Sequence, residues 1–167
     1  MTDRVIGGGP GPRQRCWLWT AKAEFYLADS GEDHPDLVPR EEPEPETWWT
    51  CTKGTRAGDL ALLYRAKNDG PTKNAGVDGV AGKDIAFLIE VCSDAFPLND
   101  EIADEYGWRT GCYFSVIEKF EKPLRIEEMR DDPVLGNWSA LRGNFQGKAR
   151  EVPAEIWDRI LTLVRSH

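Results

Sequence analysis

Thr47–Arg65, TWWTCTKGTRAGDLALLYR, decides how the chain is read. Its second half, Leu60–Arg65, is an apolar run that follows a Gly58-Asp59 turn, the pattern of a buried strand. Its first half places two adjacent tryptophans, Trp48 and Trp49, before a polar segment containing Gly54. Neighbouring side chains of an extended chain point to opposite faces, so the two indoles cannot both enter one core. One is left for a surface, a site or a smaller cluster, and a flat side chain at the mouth of a sheet suits a flat ligand. Thr50, Thr52, Lys53, Thr55 and Arg56 add hydroxyls and two cations within seven residues of the pair. Aromatic faces beside Lys and Arg are the combination that holds an unstacked nucleic-acid base and its phosphate, and a solvated loop has the same composition.

Upstream, Cys16–Ala23 (CWLWTAKA) reads as a strand with Trp17 and Trp19 on one face and Leu18 and Thr20 on the other. Glu24–Glu46 then holds nine acids against one base, Arg40, and carries the whole net charge of −8, leaving the rest of the chain formally neutral. We expect a short helix or turn near Phe25–Ala28 and then a long irregular loop, because PREEPEPE is too rich in proline for regular structure. Downstream, Asn68–Lys83 is a Gly-, Pro- and Asn-containing hairpin connection. Asp84–Ala95 is a buried strand in which Ile85, Phe87, Ile89 and Val91 alternate against Ala86, Leu88 and Cys92, ended by Phe96-Pro97. Arg109–Lys119 is another strand, extended through Phe120–Arg125 across the kink at Lys122-Pro123-Leu124. Ile126–Arg130 makes a turn or two of helix, and Gly147–Val152 a last strand. Pro153–Val164 is an amphipathic helix, with proline at its first turn, Glu155 at its positive end and Ile156, Trp157, Ile160, Leu161 and Val164 forming one stripe. These elements make an α+β protein: a strongly bent, barrel-like mixed sheet of five to six strands, with flanking short helices and a C-terminal helix. Residues 1–14, with GGGPGP, read as a flexible leader, and 15–167 as one domain with an acidic, Pro-rich insertion near 28–46.

Several function classes are excluded on composition. Cys16, Cys51, Cys92 and Cys112 are far apart and never within a CxxC, which suits reduced thiols and gives no zinc site. The two histidines, His34 and His167, leave nothing for a His-based metal site or triad, so neither metal nor cofactor is expected. No apolar window is long enough to span a membrane and no signal peptide is visible, so a cytoplasmic location is expected. Cys51 has no activating histidine, and acids in a Pro-rich loop are not held at a fixed separation. A non-enzymatic role follows, with no catalytic residue assigned. Leu141–Arg150 carries three cations, Asn144 and Gln146 and no acid. That run is either a pocket edge offering amides to a base or an ordinary basic loop.

The motifs also stand in a familiar order. Trp17, Leu18 and Tyr26 come first, then Trp49 before Gly58-Asp59, the strand LLYRA (Leu62–Ala66) and FLIEVCSDAFP (Phe87–Pro97). GWRTGCYFSV before KPL (Gly107–Leu124) and REVPAEIWDRI (Arg150–Ile160) follow. Together, over Arg15–Val164, they resemble the EVE domain of the PUA-like superfamily, which includes the YTH readers of methylated adenine in RNA. The resemblance implies a pocket that takes a modified base flipped out of a strand, either modified cytosine in DNA or a modified RNA base. By position, Trp49 matches the principal cage tryptophan. Thr20, Ala21 and Lys22 match the end of the first strand that lines the pocket, and Asn144, Phe145 and Gln146 the loop that meets the base edge. Tyr106 or Trp108 would supply a second cage wall, Trp19 and Tyr64 further walls, and Lys22, Lys53, Arg56, Arg65, Arg142 and Lys148 would hold the backbone. The family's Lys-Ser-Glu-Pro motif reads here Thr20-Ala21-Lys22-Ala23, so the base-edge contacts should differ. Two rival readings are a protein-interaction module that offers Glu24–Glu46 to a basic protein, and a nucleotide-processing enzyme that uses the same pocket.

Overall fold

β1 (Cys16–Ala21) and β3 (Leu60–Arg65) run parallel, Leu18 beside Leu62 and Trp19 beside Leu63. These strands belong to a computed structural model that describes residues 14–28, 30, 32–39, 47–66, 82–142, 145 and 149–166. From β3 the chain returns antiparallel as β4 (Asp84–Val91), which pairs with the sixteen-residue β6 (Thr110–Arg125). β2 (Trp48–Thr50) and β5 (Phe96–Pro97) both pair with the start of β6, and β7 (Arg150–Glu151) pairs with β1. The resulting order, β2-β6-β4-β3-β1-β7 with β5 beside β6, is a mixed sheet curled into a half-barrel.

Both faces of this sheet are covered, which is why β3 and β4 read as near-continuous apolar runs. Leu18, Leu62, Tyr64, Ile85, Phe120 and Leu124 face three helices: α3 (Ile126–Asp131), α4 (Ser139–Arg142) and α5 (Ala154–Arg165). Met129, Leu141, Trp157 and Ile160 are among the buried side chains those helices contribute. Trp17, Trp19, Leu63, Phe87, Ile89 and Phe114 face the other way, under α1 (Ala23–Tyr26) and a 3₁₀ turn at Pro35–Leu37. The even alternation expected along β4 fails at one point. Ile85 joins the helix-covered face whereas Phe87 and Ile89 join the other, because the register against β3 shifts there: Ile85 stands opposite Tyr64 and Phe87 opposite Leu63, leaving Ala86 as the extra residue. A bulge adds one residue and turns every later side chain over.

The Gly58-Asp59 turn fastens the two parallel strands together at their start. Gly58 takes φ +93°, open to glycine and strained for other residues. The buried Asp59 carboxylate accepts from the Trp17 indole N–H (2.9 Å) and from the backbone N–H groups of Arg15 (3.1 Å) and Arg56 (3.0 Å).

The first part of the acidic insertion is not irregular. Leu27 bridges to Asp33, the Asp36 N–H donates to the His34 ring at 3.2 Å, and Leu27 and Leu37 are buried under the sheet. Two leucines at the core are sufficient reason for the segment to fold back. The leader 1–13, the acidic run 40–46 and the connection 67–81 lie outside the described residues. No helix among the described residues is long and apolar enough to cross a membrane.

Candidate functional site

Along the β2–β6 pairing, Trp48 stands opposite Tyr113, Trp49 opposite Cys112 and Thr50 opposite Gly111. Among the described residues β2 pairs only with β6, so both indoles stand at the edge of the described sheet, and both are half-buried. Facing them is α2 (Glu101–Tyr106), a helix fixed at both ends. The Asp100 carboxylate accepts from the Ile102 N–H at 2.7 Å, and Gly107 closes the helix at φ +73°. Beyond it the Trp108 N–H donates to the Ala103 carbonyl at 2.8 Å, which fixes Trp108 beside Tyr106. Phe25 projects from α1 into the same space.

These side chains form one aromatic group. Tyr106 and Trp108 are stacked, with centroids 4.8 Å apart and planes 18° from parallel. Phe25 meets Trp49, Tyr106 and Trp108 at 5.7, 5.3 and 5.4 Å. Trp49 and Trp108 stand 6.1 Å apart with planes inclined at 42°. Beside them opens a cavity of about 740 Å³, walled by Trp49, Phe25, Tyr106 and Trp108, by Thr20, Thr50, Thr52 and Thr110, and by Cys51. Trp19 reaches it while only 1% exposed, so it is floor and not rim, and its indole N–H has no hydrogen-bond partner among the described residues. Three of the threonine hydroxyls are engaged: Thr20 donates to the Phe145 carbonyl (3.2 Å), Thr50 to the Thr110 carbonyl (3.3 Å), and Thr52 shares a hydrogen with Thr55 (3.2 Å). Lys22, Lys53 and Arg109 place three cations on the same wall. Across it the Tyr106 hydroxyl lies 3.5 Å from a Glu24 carboxylate oxygen, and desolvation together with that acid raises the phenol's pKa, so it stays a neutral hydroxyl. A smaller hollow of about 290 Å³ lies behind Trp49 and Trp108, bordered by Trp48, His34 and Ile102.

Of the residues singled out in the sequence, Trp19, Thr20, Lys22, Trp49, Lys53, Tyr106 and Trp108 come together on this one wall. Others do not. Tyr64 lies on the opposite face of the sheet, its ring 4.7 Å from that of Phe145, because it shares the two-residue period of Leu60 and Leu62. Phe145 is itself in that helix-covered core, held at φ +57°, and offers only its carbonyl towards Thr20. Ala21 is buried beside Trp19 in the core. Arg65 is buried in a two-pronged ion pair with Asp84 (2.7 and 2.8 Å), its guanidinium 5.9 Å from the Tyr26 ring and 5.8 Å from that of Phe87. A charge neutralised inside the core does not reach a phosphate. Arg56 and Arg142 are exposed but away from the cavity wall, and Asn144, Gln146 and Lys148 lie outside the described residues.

Phe25, Cys51, Arg109 and Thr110 on the wall were not read from the sequence. The Asp100…Gly107 spacing does mark α2 by its two caps, and that signal would have brought Arg109 to notice beside Trp108. Among the described residues no group of three or more His, Cys, Asp or Glu is placed to hold a metal.

A family model for the EVE domain matches residues 50–163. Solved structures of similar fold include Rpa0253 from Rhodopseudomonas palustris, which is 18% identical, with 89% of this chain and 92% of that chain covered and a TM-score of 0.61. Human THYN1, solved in complex with DNA containing 5-methylcytosine, is 15% identical (92% and 99% covered, TM-score 0.61). The YTH domain of Zygosaccharomyces rouxii MRB1, solved with N6-methyladenosine RNA, is 13% identical (93% and 87% covered, TM-score 0.51). No curated protein matches the chain by sequence.

Proposed function

Because the chain belongs to the EVE domain family, we propose that its cavity binds a modified base of DNA or RNA, flipped out of its strand, and that the protein works as a binding module and not as an enzyme. One observation carries this reading: a cavity about 740 Å³ in volume is walled by four aromatic rings and edged by Lys22, Lys53 and Arg109. Flat apolar faces take a base, and cations at the rim take the phosphates on either side of it. Two structures of the same fold, THYN1 and the YTH domain of MRB1, hold nucleic acids that carry a methylated base, which supports the assignment of ligand class.

The geometry also suggests how the base enters. A base lying between two parallel rings needs about 7 Å between them, twice the roughly 3.4 Å spacing of stacked bases. Trp49 and Trp108 stand closer than that and at an angle. The base therefore stacks on Trp49, which is held in β2, while Trp108, beyond the end of α2, turns to close over it. Stacking contributes about 1–3 kcal/mol, and a methyl group taken into the aromatic wall adds about 0.8 kcal/mol. Discrimination between modified and plain base is then modest, set mainly by that second contribution.

Titration of short oligonucleotides with and without 5-methylcytosine or N6-methyladenine tests the reading. A preference for one modified strand is expected, and Trp49→Ala should weaken its binding by about tenfold to a hundredfold, the equivalent of one stacking contact. Equal binding of modified and plain strands, unaltered in Trp49→Ala, would refute it.

A further inference from the structure

Cys51 and Cys112 are placed on one face of the β2–β6 pairing. Trp49 stands opposite Cys112, and the Cys51 N–H donates to the Thr110 carbonyl at 3.0 Å, two pairs further on. Residues two apart share a face, so the two thiols are diagonal neighbours across the strands, and each shifts the pKa of the other. Their surroundings differ sharply. Cys51 lies just past the last residue of β2 and opens onto the cavity, whereas Cys112 is 0% exposed near the start of β6. Both are free thiols.

We propose that this pair is an oxidation site, in which hydrogen peroxide entering the cavity oxidises Cys51 and Cys112 resolves it to a disulfide. The asymmetry of burial assigns the roles, because an oxidant in the cavity meets the sulfur of Cys51 and not that of Cys112. The chemistry of the thiols agrees. The Cys112 hydrogen bond, helped by Thr55, lowers the Cys51 pKa, and the same contact, with burial, raises that of Cys112. The thiolate is the attacking form. Its sulfur attacks one peroxide oxygen, the O–O bond breaks, and hydroxide leaves as water after taking up a proton, which makes Cys51 a sulfenic acid. The Cys112 sulfur then attacks the Cys51 sulfur, the S–S bond forms, the S–O bond breaks, and the Cys112 proton leaves with hydroxide as a second water. One peroxide is reduced to two waters, and two thiols become one disulfide.

Closing the bond must move the wall. Diagonal cross-strand neighbours have Cβ atoms up to about 7–8 Å apart, while a disulfide needs about 3.8 Å. Cys112 is held in β6 between β2 on one edge and, on the other, the Cys92 N–H bonded to the Tyr113 carbonyl and β5 beside Gly111, so the movement falls on Cys51 and on Trp49, two residues before it in a three-residue strand. The thiol chemistry stands whether or not the cavity takes a base; its effect on base binding rests on the function proposed above.

The test uses the full, reduced chain treated with hydrogen peroxide. It should lose two of its four thiols, give a peptide linked through Cys51 and Cys112, and regain both thiols in dithiothreitol. Cys112→Ser should instead leave a dimedone-trappable sulfenic acid at Cys51, and Cys51→Ser, at the cavity edge, should keep its one remaining thiol of the pair, Cys112. Four thiols surviving a dose that oxidises glutathione, or a link made to Cys92 instead, overturns the proposal. Intrinsic tryptophan fluorescence should shift on oxidation and recover on reduction, and a disulfide formed without that shift would overturn the movement of Trp49. If oxidation alters the fluorescence but the reduced protein ignores every oligonucleotide, the thiol pair stands and the base-binding reading fails.

Discussion

Arg65 shows how one residue's role follows from its partners. As the end of LALLYR it is a strand-terminal arginine that reads as a phosphate ligand, yet Asp84 faces it directly across the β3–β4 pairing and takes both prongs of its guanidinium. Removing one partner of a buried pair strands the other charge, at a cost of about 3–5 kcal/mol. Arg65→Met should therefore lower stability by that amount in denaturant unfolding, whereas Lys53→Met, on the exposed rim, should leave stability unchanged and weaken oligonucleotide binding. Asp132 is a second such residue. Its carboxylate accepts from Arg159 Nε (3.0 Å) and Nη2 (2.6 Å) and from the N–H groups of Val134 and Leu135 (both 3.0 Å). These contacts, led by the Arg159 hydrogen bond, hold its pKa below the ordinary carboxylate value. A carboxyl group whose folded-state pKa is depressed contributes stability above its unfolded value of about 3.9 and loses it as the pH falls through the lower, folded value. Asp132→Asn should thus cost about 1.5–3 kcal/mol at neutral pH, the value of charged hydrogen bonds. The difference from the parent should shrink towards zero in acid unfolding measured below the folded-state value.

Among the elements, the start of β6 does the most for the cavity, since β2 pairs along one edge of it and β5 along the other, and Gly111 is the partner of both Thr50 and Phe96. A Cβ there would lie 2.7 Å from Leu98 Cδ2 and 3.2 Å from the Trp49 carbonyl oxygen. The leucine can turn aside but the carbonyl belongs to the strand that carries the stacking residue. Gly111→Val should consequently cost about 1–3 kcal/mol, the usual range for overpacking, and should shift the tryptophan emission, to which Trp49 contributes as one of seven tryptophans. An unchanged spectrum at full stability would show that β2 is not set by this contact. α2 works on the opposite wall, where its two caps determine where Tyr106 and Trp108 begin.

At the scale of the whole molecule the net charge is −8, but the cavity wall carries Lys22, Lys53 and Arg109. Three phosphate contacts would give a salt slope of about −2 for a single strand and about −3 for a duplex. Oligonucleotide affinity measured across a salt series should follow that shallow line; a slope several times steeper would mean that a larger basic surface takes part. The curl of the sheet matters equally, because it brings the ends of β1 and β2 and the α2 turn to one hollow, although they are far apart along the chain.

The sequence by itself determined the long strands β1, β3, β4 and β6 and the C-terminal helix, since their apolar patterns report which faces are buried. It also placed one of Trp48 and Trp49 outside the core, because two adjacent indoles in a strand cannot share one, with the family resemblance naming Trp49, and it marked the GD turn, where Gly58 takes a positive φ. Only the tertiary structure decided which polar and aromatic residues meet. The bulge in β4 moved Ile85 to the helix-covered face, the pairing of β3 with β4 gave Arg65 to Asp84, and the β2–β6 register set Cys51 diagonal to Cys112. Periodicity gives the face a side chain occupies, but register is set by long-range pairing, and a shift of one residue changes every neighbour it has.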